Sequence, residues 1–167
     1  MLLEMTVKGL TIDPLTSTPV VILKDAEGKN AVPIWIGLME ASAIATELEN
    51  IQLSRPMPHD LMRNILESLD AKVVKIVVND LRDNTFYALI HIMVGSQEIV
   101  IDSRPSDAIA LALRTSSPIL VDKKVVAKSR KIDLMKKEEG LSEEESKKRW
   151  AEILEKLSPD DFGKYRM

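Results

Sequence analysis

The chain has 167 residues, 45% of them hydrophobic and 29% charged, a balance that is typical of one globular domain and excludes a wholly disordered chain. The formal net charge is −3, but residues 1–122 carry 10 basic and 16 acidic side chains (−6) and residues 123–167 carry 13 and 10 (+3). The acidic body argues against binding of a long duplex by phosphate neutralisation alone.

Three absences narrow the class of protein. The chain has no cysteine, which excludes disulfides and thiolate metal sites and fits a reducing cytoplasm. No apolar run approaches the roughly 20 residues of a membrane-spanning helix, and the start of the chain lacks the features of a secretory signal. We therefore expect a cytoplasmic protein without membrane association. Its two Gln beside many Lys and Glu favour a thermostable one.

The N-terminal part of the chain predicts three strands. Apolar residues alternate loosely over 2–12, as in a strand with one buried face. Turn residues separate this segment from the run Val20–Leu23, which is typical of a strand buried on both faces. A loop that contains Gly28 leads to a third strand over 31–36, so the second and third strands form a predicted hairpin.

Two helices are predicted next. The first runs from Leu38 to Leu53, and four apolar residues at helical spacing form its predicted buried stripe: Met39, Ala43, Ile44 and Leu48. The second runs from about His59 to Leu69, with Pro58 well suited to its first position because proline presets the helical φ.

Three further strands are predicted over 72–80, 85–94 and 98–102, with turns at Asp83-Asn84 and Gly95-Ser96. A helix over 106–115 follows Pro105, and a short strand over 118–121 ends this region. The sequence therefore predicts an α+β fold, with a mainly antiparallel or mixed sheet and helices packed against it.

An internal echo relates the two halves of this region. At a constant offset of 65 residues, six apolar positions of the first half have apolar counterparts in the second. The first set is Ile34, Ile36, Ala43, Ile44, Ala45 and Leu48, and the second is Ile99, Ile101, Ala108, Ile109, Ala110 and Leu113. The echo indicates either a duplicated β-β-β-α unit or two halves that merely share one packing pattern.

The composition changes after residue 122, where charged residues dominate. Ser142 with Glu145 three residues later is typical of a helix start. Four apolar residues then form one predicted docking stripe: Trp150, Ile153, Leu154 and Leu157. We therefore divide the chain into an α+β domain over 1–125 and a charged helical extension over 126–167.

Two segments place an arginine before a helix and a carboxylate in its first turn. They are Arg55-Pro56-Met57-Pro58-His59-Asp60 and Arg104-Pro105-Ser106-Asp107. An ordinary helix start accounts for both, because proline presets the first turn and aspartate complements the helix dipole. The functional interpretation is that both helix starts line one polar cleft, with Glu40 of the first helix as a third carboxylate.

Such a cleft would suit phosphate chemistry. Carboxylates bind Mg²⁺ or Mn²⁺, arginine binds phosphate through two parallel hydrogen bonds, and His59 could donate or accept a proton. The sequence contains no P-loop, no dinucleotide-binding glycine motif and no zinc-protease motif, which argues against ATP-dependent and nicotinamide chemistry.

Three blocks of the sequence resemble the bifunctional nuclease domain family. They are Pro33–Gly37 with Glu40–Ala45, then Arg55–Leu61, then Asp102–Ala112, in the order that the family has them. The resemblance covers roughly residues 1–125 and implies an α+β domain, the DNase and RNase activity that is attributed to plant members, and self-association.

On this basis we predict a divalent-metal-dependent nuclease that acts on DNA and RNA. Mg²⁺ or Mn²⁺ would be held by Glu40, Asp60 and Asp107. The catalytic residues would be His59, Asp60 and Asp107, and the scissile phosphate would be bound by Arg55 and Arg104. The alternative is a non-catalytic homo-oligomeric module, most simply a dimer, whose cleft binds a small anion or a partner peptide and whose tail joins the subunits.

Overall fold

The structure is a computed structural model that describes residues 1–136, with side chains through Arg130. The predicted helix start at Ser142 and the apolar stripe behind it lie outside the described residues.

Seven strands form one mixed sheet, in the order β3-β2-β1-β7-β4-β5-β6. Along the chain the elements are β1 (Leu2–Ile12), β2 (Pro19–Asp25), β3 (Ala31–Trp35), α1 (Leu38–Leu48), α2 (Pro58–Ser68), β4 (Ala71–Arg82), β5 (Thr85–Val94), β6 (Gln97–Ser103), α3 (Pro105–Thr115), β7 (Ile119–Asp122) and α4 (Lys123–Lys136). The strands pair antiparallel except β4 and β7, which are parallel. The predicted α+β class with a mixed sheet is confirmed.

The sheet consists of two three-stranded meanders joined through β7. Ile119 of β7 lies opposite Met5 of β1 on one side and opposite Ile76 of β4 on the other. Each meander is followed by a helix at the corresponding place, α1 after β3 and α3 after β6. Both halves therefore have the same β-β-β-α order, in agreement with the 65-residue echo.

The β4–β5 hairpin turns at the predicted residues. Arg82 pairs with Thr85, and the two residues between them, Asp83 and Asn84, have φ angles of 49° and 59°. Two consecutive positive φ angles are required for the turn whose twist matches that of paired strands, and Asp and Asn tolerate them better than most residues do. Gly95 (φ 59°) begins the next turn, also as predicted.

Helix α1 is shorter than predicted. It ends at Leu48 instead of Leu53. Asn50 has a left-handed φ of 52°, and the Ile51 amide reaches back to the Thr46 carbonyl at 2.9 Å, which closes the helix and reverses the chain. The irregular segment that follows brings the residues before α2 next to the start of α3.

The predicted buried stripe of α1 is wrong at Met39, which is 64% exposed. The buried residues of α1 are Ala41, Ser42, Ile44, Ala45 and Thr46. The helix contacts α3, whose own buried face is rich in alanine, and β2. Small side chains on both helices allow their backbones to approach closely, and this contact determines which side of α1 is buried.

Helix α3 lies at the centre of the helical layer. It contacts α1, α2, β4 and β5. Helix α4 contacts β3, β4 and β7 and buries Val125, Val126 and Ser129. The predicted domain boundary after residue 125 therefore falls inside a helix that packs against the sheet. Among the helices that the structure describes, none is long and apolar enough to cross a membrane.

Candidate active site

Three helices begin at one cavity of about 680 Å³. Glu40, His59 and Asp107 lie in the first turns of α1, α2 and α3, and all three line the cavity. The helices come together there because α3 contacts both of the others. Since the N-terminal end of a helix carries the positive end of its dipole, the starts of α1 and α3 stabilise the carboxylates of Glu40 and Asp107.

A chain of hydrogen bonds joins these side chains. His59 Nε2 lies 2.9 Å from Asp107 Oδ1, and Arg104 Nε donates to Asp107 Oδ2 at 2.8 Å. Arg104 Nη1 donates to Glu40 Oε1 at 2.8 Å. The Arg104 side chain is 65% exposed, and its Nη2 makes no hydrogen bond with any described residue. One arginine thus links α3 to α1 and still presents a donor to solvent.

Gly37, directly before α1, makes room for Glu40. The Glu40 carboxylate folds back over Gly37, where the Cβ of any other residue would overlap Glu40 Oε2. A glycine at this position therefore allows the rotamer in which Glu40 reaches Arg104.

His59 is the buried member of the chain, with 8% of its surface exposed. Its Nε2 is bonded to Asp107, but its Nδ1 is buried without a hydrogen-bond partner among the described residues. A buried polar atom without a partner costs about 1–3 kcal/mol, so Nδ1 is the ring nitrogen that gains most from a new hydrogen bond.

The charges at the site follow from these contacts. Burial alone would raise the pKa of Asp107, but hydrogen bonds from Arg104 and His59 outweigh it and hold the pKa below its ordinary value. The hydrogen bonds to Asp107 and Glu40 raise the pKa of Arg104. Asp107 is therefore a carboxylate, and Arg104 a guanidinium, at neutral pH.

Asp60 makes no contact in this series of hydrogen bonds, contrary to the predicted convergence of three acidic side chains. Its Oδ1 accepts a hydrogen bond from Arg114 Nε at 2.7 Å, and its Oδ2 accepts one from the Met57 amide at 3.0 Å. It lines a second cavity of about 360 Å³, together with Arg55 and Arg63. His59, the second residue of α2, lines the first cavity, whereas Asp60, the third residue, lines the second cavity.

Arg114 is the residue that the sequence did not single out. Its side chain is only 2% exposed. Besides Asp60, it bonds the carbonyl oxygens of Ala110 and Ala43, each at 2.9 Å, and so joins α3 to α1 and α2. An arginine in the last turn of a helix is ordinary, because it complements the helix dipole, and no local pattern distinguishes this one.

The predicted ligand set for a divalent cation is not assembled. Both oxygens of Asp107 and one of Glu40 are already bonded, and Asp60 belongs to the other cavity. Within residues 1–130, no group of three or more His, Asp and Glu side chains is placed to hold a metal ion. A requirement for Mg²⁺ or Mn²⁺ stays a prediction.

The first cavity is lined mainly by apolar side chains, and the hydrogen-bonded charged groups are part of the same wall. The apolar lining includes Met39, Leu53, Met57, Met62, Ile90 and Ile101. Volumes of this size are typical of small-molecule sites, which combine apolar walls with a few polar groups. The exposed Met39 that departs from the predicted stripe is part of this wall.

The chain is similar in sequence to a known protein family and to several known proteins. Residues 21–133 match the profile of the Bifunctional nuclease domain. An uncharacterized protein of Mycobacterium tuberculosis is 34% identical over 162 residues, which cover 95% of this chain and 97% of that protein. Bifunctional nuclease 1 of Arabidopsis thaliana is 28% identical over 109 residues, 63% of this chain and 34% of the plant protein. Bifunctional nuclease 1 of Oryza sativa subsp. japonica is 25% identical over 109 residues, 63% of this chain and 33% of the plant protein. The matched profile covers well over half of the chain, which therefore belongs to the bifunctional nuclease domain family.

Proposed function

We propose that this protein is a nuclease that hydrolyses phosphodiester bonds of DNA and RNA, with the first cavity as its active site. The observation that carries the proposal is the hydrogen-bonded chain of His59, Asp107, Arg104 and Glu40 at the meeting point of three helix starts. Family membership and the plant relatives named as bifunctional nucleases support the substrate class.

Arg104 is the proposed contact to the scissile phosphate. Its Nη2 makes no hydrogen bond with described residues, while its Nε donates to Asp107 and its Nη1 donates to Glu40. Because the guanidinium is already oriented, a phosphate that binds it orders few additional torsions. The positive ends of α1, α2 and α3 add to the attraction for the phosphate and for the charge that develops on it in the transition state.

His59 is the proposed proton carrier, and Asp107 orients it. With Nε2 bonded to Asp107, the nitrogen left for the substrate is Nδ1. In hydrolysis water adds to phosphorus and loses a proton, the ester P–O bond breaks, and the leaving oxygen gains a proton. His59 would accept the proton from the water or donate the proton to the leaving oxygen. Since Nδ1 is covered in the structure, this role requires a small shift of the cavity wall when substrate binds.

Asp60 has a positioning role in this proposal, through the α2 start and Arg114. Mg²⁺ or Mn²⁺ is assigned no step, because the predicted ligands Glu40, Asp60 and Asp107 are divided between two cavities. Cleavage of DNA, cleavage of RNA and the dependence of each on metal are to be measured separately on the same protein.

The test is cleavage of end-labelled single- and double-stranded DNA and RNA, with Mg²⁺, with Mn²⁺ and with EDTA. We expect Asp107→Asn, His59→Ala and Arg104→Gln each to lower the rate by about 10²-fold or more. Lys72→Gln is the matched control, since Lys72 is exposed on β4 and lines neither cavity. Cleavage that survives all three substitutions rejects the site.

The second candidate is the non-catalytic anion-binding module. It is favoured by the saturation of Asp107 by Arg104 and His59, which is also what a purely structural linkage would show. In that case inorganic phosphate raises the Tm, Arg104→Gln removes the effect, and no nucleic acid is cleaved.

Self-association is part of the proposal for both candidates. The outer strand β6 exposes the apolar side chains of Ile99, Val100 and Ile101, the kind of sheet edge that a second copy could cover. Light scattering on the full chain and on a chain truncated after Lys131 measures whether an oligomer forms and whether the tail is needed for it.

A further inference from the structure

The second cavity adjoins the first. Thr46 and Leu53 contribute to the walls of both. We propose that Arg55 and Arg63, which line the second cavity, form a second phosphate subsite, so that the substrate is a single-stranded nucleic acid that crosses from one cavity to the other. This inference rests on the proposed function.

The charge of the second cavity comes from its two outer arginines. Three arginines and two acidic residues line it: Arg55, Arg63, Arg114, Glu47 and Asp60. Arg114 and Asp60 are bonded to each other, so their charges largely cancel. Arg55 and Arg63 then outweigh Glu47, and the cavity favours an anion.

Both outer arginines have donors available for a phosphate. Arg55 is exposed and makes no hydrogen bond or ion pair with any other described residue. Among the described residues, Arg63 donates only to the neighbouring Asn64 side chain, through Nε at 3.3 Å and Nη2 at 3.2 Å, and its Nη1 has no partner there. Arg114 differs, since all three of its nitrogens are bonded within the fold. A phosphate can therefore bind Arg55 and Arg63 without breaking the framework of the helices.

The two cavities differ in the groups that line them. Together they match a nucleic acid strand, in which phosphates alternate with nucleosides. The first has Arg104 at one side and apolar walls of Leu53, Met57 and Met62, which suit a phosphate and the faces of a base. The second is polar and offers a site for a neighbouring phosphate.

A base can enter the first cavity only if it is unstacked and unpaired. Single strands present such bases freely, whereas a duplex must first be opened. The net charge of −6 on residues 1–122 also argues against binding of a long duplex by phosphate neutralisation. We therefore infer that the substrate binds as a single strand.

The test measures binding and not cleavage. The probe is fluorescein-labelled (dT)8, titrated in EDTA at several salt concentrations by fluorescence anisotropy, with a gel to verify that it stays intact. We expect Arg55→Gln and Arg63→Gln each to weaken binding about tenfold and to reduce the slope of log K against log[salt] by about 0.7. Lys72→Gln, which removes the same charge elsewhere, should do neither.

A second probe pair locates the extra contact. A dinucleotide with an added 5′-phosphate should bind the unsubstituted protein about tenfold more tightly than the same dinucleotide without it, and Arg63→Gln should abolish this difference. A duplex octamer should bind more weakly than the single strand.

The proposal is overturned if Arg55→Gln and Arg63→Gln bind (dT)8 as Lys72→Gln does, if the duplex binds as well as the single strand, or if the full chain binds neither. These outcomes are independent of catalysis. A protein that binds single strands through Arg55 and Arg63 but cleaves nothing retains the subsite and loses the nuclease assignment.

Discussion

His59 and Asp107 lie 48 residues apart in the sequence, at the starts of two different helices, and are joined by one hydrogen bond of 2.9 Å. Each residue by itself is an ordinary occupant of a first helical turn. Their contact, together with the bonds from Arg104, joins two helix starts into one polar centre in a mainly apolar cavity.

The first prediction concerns Gly37. In Gly37→Ala the new Cβ displaces the Glu40 carboxylate, because Glu40 Oε2 occupies that space. We expect weaker phosphate binding and slower cleavage, by about tenfold, with little change in the free energy of unfolding, since a flexible side chain can move away. Adding Gly37→Ala to Glu40→Ala should have no further effect. An equal additional loss in that double variant would show that Gly37 acts by another route.

The second prediction concerns Arg114. Arg114→Gln leaves Asp60 without its partner and removes bonds to the carbonyl oxygens of Ala110 and Ala43. We expect a loss of about 3 kcal/mol in the free energy of unfolding, measured by urea denaturation. Arg114→Lys should recover little of it, because an ammonium cannot reproduce the planar fork. Arg63→Gln, in the same cavity, should change stability by less than about 0.5 kcal/mol and serves as the control.

The third prediction is a loss of stability in acid. Burial raises the pKa of Asp60, but the Arg114 side chain and the Met57 amide outweigh it, so the pKa in the folded protein lies below the ordinary value of 3.8. The pKa of Asp107 is lowered in the same way. A carboxyl group with a depressed pKa stabilises the fold above its unfolded pKa and loses that contribution as the pH falls through the folded value.

Thermal melting between pH 7 and pH 2 measures this effect. We expect the Tm to decrease once the pH drops below about 4. Asp60→Asn should have a lower Tm at pH 7, but its Tm should decrease less on acidification. An Asp60→Asn protein with the same acid dependence as the unsubstituted chain would exclude Asp60 as a source of it.

The fourth prediction tests whether Arg104 orients a phosphate or contributes only its positive charge. Arg104→Lys keeps the positive charge but has one ammonium in place of the fork that reaches both Asp107 and Glu40. If Arg104 orients a phosphate, Arg104→Lys should lower kcat by about tenfold or more while inorganic phosphate still raises the Tm. If only its charge matters, both measurements should stay close to those of the unsubstituted protein.

Local chemistry was sufficient for much of the fold. The bounds of β5, the turn at Asp83-Asn84 and the helix starts at Pro58 and Pro105 were all predicted to within one residue. These features depend on the φ, ψ preferences of a few neighbouring residues, which the sequence states directly. The end of α1 was missed because the left-handed conformation of Asn50 competes with an apolar pattern that continues past it.

The sequence by itself determined the α+β class, the two similar halves, and the helix starts that carry His59, Asp60, Arg104 and Asp107. Only the tertiary structure decided that Asp60 faces Arg114 and a separate cavity, while Glu40 joins Asp107 through Arg104. The reason is geometric. A residue's place along a helix follows from local preferences, but the direction that its side chain faces depends on how that helix rotates against its neighbours, and distant residues of α1, α2 and α3 set that rotation together.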